Sequence, residues 1–339
     1  MNPGKIFYRW HHAGLINRIM SLEIAIGLAH CTGKEIILYN GKDHNKSAID
    51  TPSLRGQDNV GRRESIITRD DTSPLDLIDY DSTGISEIIN LNNIFKFSDS
   101  EVLFEDALQN FYYTVTPVDE ESFFADGRQP LTFDNRDFHL SGYNISHYSR
   151  FFLGRTKELD QKLSTVKFKK EYLEFADLVS NYLGEFNGIH VRLTDHQPVF
   201  RTREEMISDQ ISKFDSNPII VLTDDINHKM FKNKNIQFLD DIIVDNFSKE
   251  FMSLPIHSEI AYGAVCALIM AKSKDFAGTF GSTFTGYIHR IRNQNSLPGN
   301  FKFLGMEKPE FGAPYSWNDI YPGTVKSIEF EWPESRLVV

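Results

Sequence analysis

Short apolar runs alternate with longer helix-like segments along most of the chain, and this alternation constrains the fold more than any other feature. Residues 5–10, "KIFYRW", are predicted to form a strand. "HHAGLIN" is a loop, and "LINRIMSLEIAIGLAHC" is a buried helix that stops at Gly33. Residues 35–39, "EIILY", are a second strand. A parallel neighbour needs a crossover connection, so this order is typical of a parallel sheet.

The same rhythm returns after residue 185. Predicted strands are "GIHVRL", "PIIVLT", "IQFL" and "DFAG", and predicted helices are "TREEMISDQISKF", "HSEIAYGAVCALIMAKS" and "STFTGYIHRIRN". A helix over residues 157–183 connects the two halves. We therefore predict an α/β fold with two sheets. Its parts are an N-terminal α/β domain over residues 1–175, a C-terminal Rossmann-like domain over 176–310, and a C-terminal extension over 311–339 that packs back on the body.

Composition excludes several classes of protein. A formal net charge of −11 argues against a protein that binds nucleic acid through its phosphates. The two cysteines, Cys31 and Cys266, lie in apolar helix-like runs, so we expect buried free thiols and no disulfide framework. No secretory signal and no transmembrane segment are apparent in the sequence, and we expect a cytoplasmic protein without a membrane span.

Polar clusters follow the predicted strands, where parallel sheets bind ligands. In "HHAGLIN", Gly14 permits close backbone approach to a ligand and Asn17 lies near a helix N-terminus, although a plain tight turn is the alternative. In "HVRLTD", His190 and Arg192 share a face because side chains alternate along a strand. The Arg192 fork suits phosphate oxygens, and a structural ion pair with Asp195 is the alternative.

Two further clusters follow later strands. "VLTDD" ends in Asp224 and Asp225, which are candidates for contacts with a base or ribose, or for caps of a helix. A dedicated metal site is not expected there, because no further acidic or His ligand follows at fixed spacing. "GTFGSTFT" places Ser282 and Thr283 where a strand turns into a helix. They could surround a phosphate with backbone N–H groups, or they could simply cap the helix.

At these residues the chain resembles the GDP-fucose-dependent fucosyltransferases, which comprise protein O-fucosyltransferases, core α1,6-fucosyltransferases and bacterial nodulation enzymes. The matching segments are His190-Val191-Arg192, Leu222-Thr223-Asp224-Asp225, Ser282-Thr283-Phe284-Thr285 with Arg290 or Arg292 beyond, and Gly14-Leu15-Ile16-Asn17-Arg18. "HVRLTD" is similar to the "HVRRTD" of the α1,6 group, which has a second Arg at the position of Leu193. The resemblance covers about residues 1–40 and 185–295.

The resemblance implies a GT-B architecture, with two Rossmann-like domains facing a cleft and the N-terminal domain on the acceptor side. It implies that Arg192 clamps the β-phosphate, that Asn17 helps to hold the diphosphate or the acceptor, and that Asp195 buttresses the Arg192 site. The residues that it implies for nucleotide-sugar binding are Gly14, His190, Asp195, Asp224, Asp225, Ser282, Thr283 and Phe284.

The implied reaction is an inverting, metal-independent transfer of fucose from GDP-fucose to a glycan acceptor, without a further cofactor. The acceptor would be an oligosaccharide, free, lipid-linked or protein-attached. The transfer needs a general base for the acceptor hydroxyl; His12 is our candidate, with His11 and His196 as alternatives. Guanine as the base is inherited from the resemblance.

Three other functions stay open at this point. The donor could be another nucleotide sugar. The chain could be a non-catalytic nucleotide- or glycan-binding relative. A phosphatase or NAD-type enzyme is disfavoured, because the sequence has no nucleophile motif and no GxGxxG fingerprint.

Overall fold

Two parallel β-sheets with flanking helices make up the computed structural model. The residues that it describes are 4–9, 15, 16, 19, 22, 26, 29, 33–39, 61–68, 74–79, 138–141, 167–193, 204–224, 231, 236–279, 282–294 and 301–304. The α/β fold class predicted from the sequence is confirmed. Of the helices described, none has the length and apolar character needed to span a bilayer.

The first sheet has three strands, and β1 lies at its centre. They are β1 (Lys5–Arg9), β2 (Glu35–Tyr39) and β3 (Phe138–Ser141), in the order β2-β1-β3, with all pairs parallel. The predicted strands at residues 5–10 and 35–39 are confirmed. β3 was not predicted; it lies in the long stretch between residues 41 and 150, where the sequence pattern predicts no order of elements.

A helix connects β1 to β2 and buries one face. Its described residues are all buried and apolar, and they recur at the spacing of three or four positions that places them on one face of a helix. They are Leu15, Ile16, Ile19, Leu22, Ile26 and Ala29. Gly33 ends the helix with φ of 67°, and the N–H of Lys34 donates to the carbonyl of Ala29 at 3.0 Å. This is a Schellman-type end, so the predicted stop at Gly33 is confirmed.

The second sheet has five parallel strands in the order β6-β5-β4-β7-β8. The strands are β4 (Asn187–Val191), β5 (Ile219–Thr223), β6 (Ile236–Phe238), β7 (Phe276–Thr279) and β8 (Phe301–Leu304). Every residue of β4, β5 and β7 is buried, as expected where helices cover both faces. The chain runs outward from β4 to β6 and then returns to add β7 and β8 on the other side, so strand order reverses between β4 and β7.

Six helices accompany this sheet in the described part of the chain. They are α1 (Lys170–Leu183), α2 (Glu204–Lys213), α3 (Leu239–Asn246), α4 (Ser248–Met252), α5 (Glu259–Ala271) and α6 (Thr283–Gln294). The predicted helices corresponding to α2, α5 and α6 are confirmed within the described residues, whereas α3 and α4 were not predicted. The helix predicted over residues 157–183 is confirmed from Lys170 onward and is wrong at residues 167–169, because Phe168 forms an antiparallel bridge with Ile78 there. α1 crosses residue 175 without a break, and the predicted division into domains stays a prediction.

The two faces of the second sheet carry separate apolar clusters. Along β5, Ile220 and Leu222 belong to a large cluster with α1, α5 and the helix after β1, whereas Ile219 and Val221 belong to a smaller cluster with α2. This alternation is the period of two expected of a strand. Two short 3-10 helices, Gly61–Ser65 and Pro74–Leu77, lie beside the large cluster, to which Ile66, directly after the first, and Leu77, at the end of the second, belong.

Arg292 of α6 ties that helix to the end of α5. Its guanidinium is buried and donates to the carbonyls of Ala271 (3.0 Å), Ser273 and Lys274 (2.8 Å). The last carbonyls of a helix have no partner within the helix, so a buried donor at this position satisfies them.

We therefore expect Arg292→Leu to lower the free energy of unfolding by about 3 kcal/mol or more, because buried carbonyls lose their donor. Urea unfolding measures this change. Lys170→Leu is the matched control, since Lys170 is exposed and pairs only at the surface with Glu174. It should change the free energy by less than about 0.5 kcal/mol. Equal effects of the two substitutions would contradict the role of Arg292.

Candidate functional site

The candidate site lies where the strand order of the second sheet reverses, at the carboxyl ends of β4 and β7. In open parallel sheets the loops on the two sides of such a point diverge and leave a crevice for a ligand. The end of β4 leads to Arg192, β7 leads to the start of α6, and the end of β5 contributes Asp224. Three of the four polar clusters predicted from the sequence therefore meet at one edge.

His190 is the buried polar residue of β4 at this edge. Its Nδ1 lies 2.8 Å from Oγ1 of Thr285 on α6, and its ring centroid lies 5.0 Å from that of Phe284. Burial, with a smaller contribution from the nearby Arg192 charge, lowers the pKa of His190 to about 3. The imidazole is therefore neutral at physiological pH, with one nitrogen as a donor and the other as an acceptor.

Gly278 on β7 allows α6 to lie this close to the sheet. A Cβ atom at Gly278 would lie 2.4 Å from Cγ2 and 2.7 Å from Oγ1 of Thr285. Those distances are shorter than non-bonded contact permits, so any side chain at residue 278 would push Thr285 and the first turn of α6 away. Because β4 and β7 pair at His190 and Gly278, one close contact sets the position of α6 against both strands.

Ser282 precedes α6 and lies at its N-cap position. Its carbonyl accepts the N–H of Gly286 at 3.1 Å, the first bond of the helix. Its side chain is buried, with only 1% exposed, and Oγ has no hydrogen-bond partner among the described residues. An N-cap serine usually satisfies an N–H group of the first turn with this oxygen. Since that bond is not made, the capping alternative does not account for Ser282.

The N-terminus of α6 can bind an anion. Free N–H groups and the positive end of the helix dipole attract negative charge, and the buried Ser282 hydroxyl adds a further donor. A buried hydroxyl without a partner is costly, and a ligand oxygen would remove that cost.

Arg192 follows β4 and is partly buried. Its backbone N–H donates to Oγ1 of Thr279 at 3.0 Å. The next residue, Leu193, is buried in the smaller apolar cluster, and its N–H donates to Oδ1 of Asp224 at 2.6 Å. Asp224 thus contacts the end of β4 across the sheet.

The structure brings together five of the predicted site residues: His190, Arg192, Asp224, Ser282 and Phe284. Several others lie outside the described residues, so their predicted roles stay predictions; they are His11, His12, Gly14, Asn17, Asp195, His196 and Asp225. Thr283 is the first residue of α6, but its side chain is not among those described.

Two site residues were missed by the sequence analysis, Thr279 and Thr285. Both are fully buried threonines whose hydroxyls contact β4. Thr285 stands in the quoted "STFT" motif, and Thr279 directly follows the predicted strand "DFAG", so both were close to a visible signal. Arg292, one of two arginines named with that motif, is engaged at the end of α5 instead.

Within the described part of the chain, no three or more His, Cys, Asp or Glu side chains are grouped so that they could hold a metal ion. The chemistry of the described site residues is that of anion binding: a guanidinium, a hydroxyl, helix N–H groups and a neutral imidazole.

Comparison with known proteins gives structural matches only. No protein-family model matches the chain, and no curated protein does. Similar solved structures include NodZ alpha-1,6-fucosyltransferase soaked with GDP-fucose, at 12% identity, covering 87% of this chain and 93% of that chain with a TM-score of 0.40. POFUT1 in complex with GDP-fucose matches at 12% identity, covering 90% of this chain and 99% of that chain with a TM-score of 0.41. NodZ from Bradyrhizobium matches at 11% identity over 81% and 88% of the two chains, with a TM-score of 0.37.

The neutral state of His190 predicts how stability depends on pH. An unfolded His takes up a proton below pH 6.5, but the folded imidazole resists protonation down to about pH 3. Stability contributed by His190 is therefore complete above pH 6.5. Between pH 6.5 and about pH 3, the contribution of His190 to the free energy of unfolding falls by roughly 1.4 kcal/mol per pH unit as the pH is lowered.

We expect the wild type to lose about 2 kcal/mol more unfolding free energy than His190→Gln between pH 7 and pH 5, since Gln does not titrate. Urea unfolding of both proteins at the two pH values measures the difference. Equal losses in the two proteins would mean that folding does not lower the pKa of His190.

Proposed function

We propose that the protein is an inverting glycosyltransferase that transfers fucose from GDP-fucose to a glycan acceptor without a metal, in a GT-B arrangement of two facing domains. The observation that carries this proposal is the unpartnered, buried Ser282 hydroxyl at the N-terminus of α6, next to the strand end that holds Arg192. A donor diphosphate bound there would satisfy the hydroxyl and the free N–H groups together.

Arg192 has the central role in the proposed reaction. The acceptor oxygen attacks the anomeric carbon while the bond from that carbon to the diphosphate oxygen breaks. The leaving GDP gains negative charge, and fixed donors that face this charge lower the barrier. Arg192 would supply a guanidinium, and Ser282 and the first-turn N–H groups of α6 would supply neutral donors.

The donor nucleoside would lie beside His190. Its neutral imidazole suits a hydrogen bond to a ribose or base, because it brings no charge that depends on pH near neutrality. Guanine and fucose are supported by the resemblance of "HVRLTD", "LTDD" and "STFT" to the fucosyltransferase motifs, and Asp225 is the candidate for contacts with the base.

The acceptor side is proposed to belong to the N-terminal domain. Asn17, with Gly14 beside it, would hold the diphosphate or the acceptor near the carboxyl end of β1. His12 would take the proton of the acceptor hydroxyl as the sugar is transferred, and His11 and His196 are the alternatives.

A nucleotide-binding relative without turnover is the second candidate. The buried side chain of Leu193 favours it, because this position holds a second Arg in the α1,6 group that the motif resembles. A site with less positive charge would still bind a nucleotide diphosphate but would stabilise its departure less.

Donor binding and turnover test the proposal in one panel. We expect GDP to bind more tightly than UDP or ADP by calorimetry, and GDP-fucose to be hydrolysed or transferred in EDTA. Arg192→Ala should lower kcat by about 10²-fold or more, because a charge that acts in the transition state is lost. Failure of GDP to exceed UDP and ADP would point to another nucleotide sugar. Binding without any turnover would favour the second candidate.

Ser282→Ala separates ligand binding from folding. The hydroxyl has no partner in the protein, so its removal should leave the free energy of unfolding within about 0.5 kcal/mol of the wild type. The affinity for GDP should fall by roughly tenfold, because a hydrogen bond to a charged phosphate is lost. Ser212→Ala on the exposed side of α2, where Oγ donates to the Asp209 carbonyl, is the matched control and should bind GDP normally. Unchanged affinity in Ser282→Ala would remove this residue from the site.

A further inference from the structure

The end of β4 lies beyond its ladders of backbone hydrogen bonds. β4 pairs with β5 as far as Val191 and Thr223, and with β7 as far as His190 and Gly278. The N–H groups of residues 192 and 193 come after both ladders, at the point where the proposed diphosphate-binding side chain leaves the sheet. A partly buried N–H group without a strand partner needs another acceptor.

Side chains from the two neighbouring strands supply those acceptors. From β7, the buried Thr279 hydroxyl accepts the N–H of Arg192 at 3.0 Å and donates to the carbonyl of His190 at 3.4 Å. From the end of β5, the Asp224 carboxylate accepts the N–H of Leu193 at 2.6 Å. The two side chains hold consecutive peptide groups from opposite sides of β4.

The Leu193 side chain completes this fixation. It is only 7% exposed and packs in the apolar cluster with Ile207 and Leu304. Residue 193 is thus held by its backbone on one side and by its side chain on the sheet face opposite His190. Arg192 lies between two fixed residues, so the Cα atom from which its guanidinium extends has little freedom to move.

We propose that Thr279 and Asp224 are positioning residues that act through Arg192. They fix the backbone at the end of β4 so that the guanidinium meets the donor diphosphate without reorganisation, and this role rests on the proposed function. Catalytic groups that are held in place cost no ordering when the reaction occurs, and small displacements reduce turnover strongly. For Asp224, this role takes the place of the predicted contact with the nucleoside, which is left to Asp225.

Two pairs of substitutions separate the hydrogen bond from the bulk of each side chain. Thr279→Val keeps the shape and removes Oγ1, whereas Thr279→Ser restores the hydroxyl. Asp224→Ala removes the acceptor, whereas Asp224→Asn restores an Oδ1 that can accept the N–H of Leu193. If Thr279→Val or Asp224→Ala folds poorly, Thr279→Ser and Asp224→Asn keep the proposal testable. Each should then restore both the fold and the two readouts described below.

The ligand-free protein gives the first readout. In Thr279→Val the amide of Arg192 should exchange with solvent at least about tenfold faster, and in Asp224→Ala the amide of Leu193 should do so, because each loses its acceptor. NMR relaxation of the Arg192 Nε–H should show a more mobile side chain in both variants. The Ser and Asn variants should resemble the wild type. Unchanged exchange and unchanged Nε–H relaxation would overturn the proposal whatever the protein binds.

GDP binding and turnover give the second readout. Thr279→Val and Asp224→Ala should each lower GDP affinity by roughly tenfold in the wild-type background, and by much less in Arg192→Ala, because residues that act through Arg192 lose their effect without it. Equal losses in both backgrounds would overturn the proposal and assign the two residues to direct binding or to folding. If the wild type binds no GDP, the proposed function fails, and the ligand-free readout still decides the positioning role.

Discussion

The close contact between Gly278 and Thr285 is the constraint on which the site depends. It lets α6 lie against β7, and from there Thr285 also reaches His190 on β4 at 2.8 Å. Protein interiors are close-packed and have low compressibility, so a helix seated this tightly has little room to shift. The buried Ser282 hydroxyl and the end of β4 are thereby held in a fixed relation by regular secondary structure rather than by a mobile loop.

Much of the fold could be predicted because its strands carry short runs rich in apolar residues. β5, "IIVLT", is buried along its whole length, and its sequence predicts a strand without any knowledge of its neighbours. β3, "FHLS", is four residues long and carries polar residues, so its existence depends on pairing with β1 more than a hundred positions away. α3 was missed for another reason: it begins at Leu239, directly after β6, and that leucine was assigned to the strand "IQFL".

The site was predictable at the level of strand ends and not at the level of contacts. His190, Arg192 and Ser282 follow or lie within recognisable strands, so their meeting at one edge follows from the parallel order. Thr279 differs, because its importance comes from cross-strand register: it lies one residue beyond the pairing of His190 with Gly278, where a hydroxyl can reach the backbone of β4. Sequence spacing alone could not tell that Arg292 is used to hold the end of α5.

Electrostatics explains why position matters so much at this edge. The chain carries a net charge of −11, so the proposed diphosphate ligand would have to be attracted by a local field against the overall charge. Burial keeps His190 neutral, and Leu193 packs in the core where a second Arg would add charge. Among the described residues at this edge, Arg192 therefore supplies the formal positive charge, with the help of neutral donors at the start of α6. If one guanidinium is poorly placed, it has no second charge beside it whose long-range attraction could compensate. Its benefit comes through short, well-directed hydrogen bonds. Fixing the backbone around Arg192 with two side chains therefore increases the affinity of this site for an anion strongly. The same fixation would matter less in a site where several positive charges could replace one another.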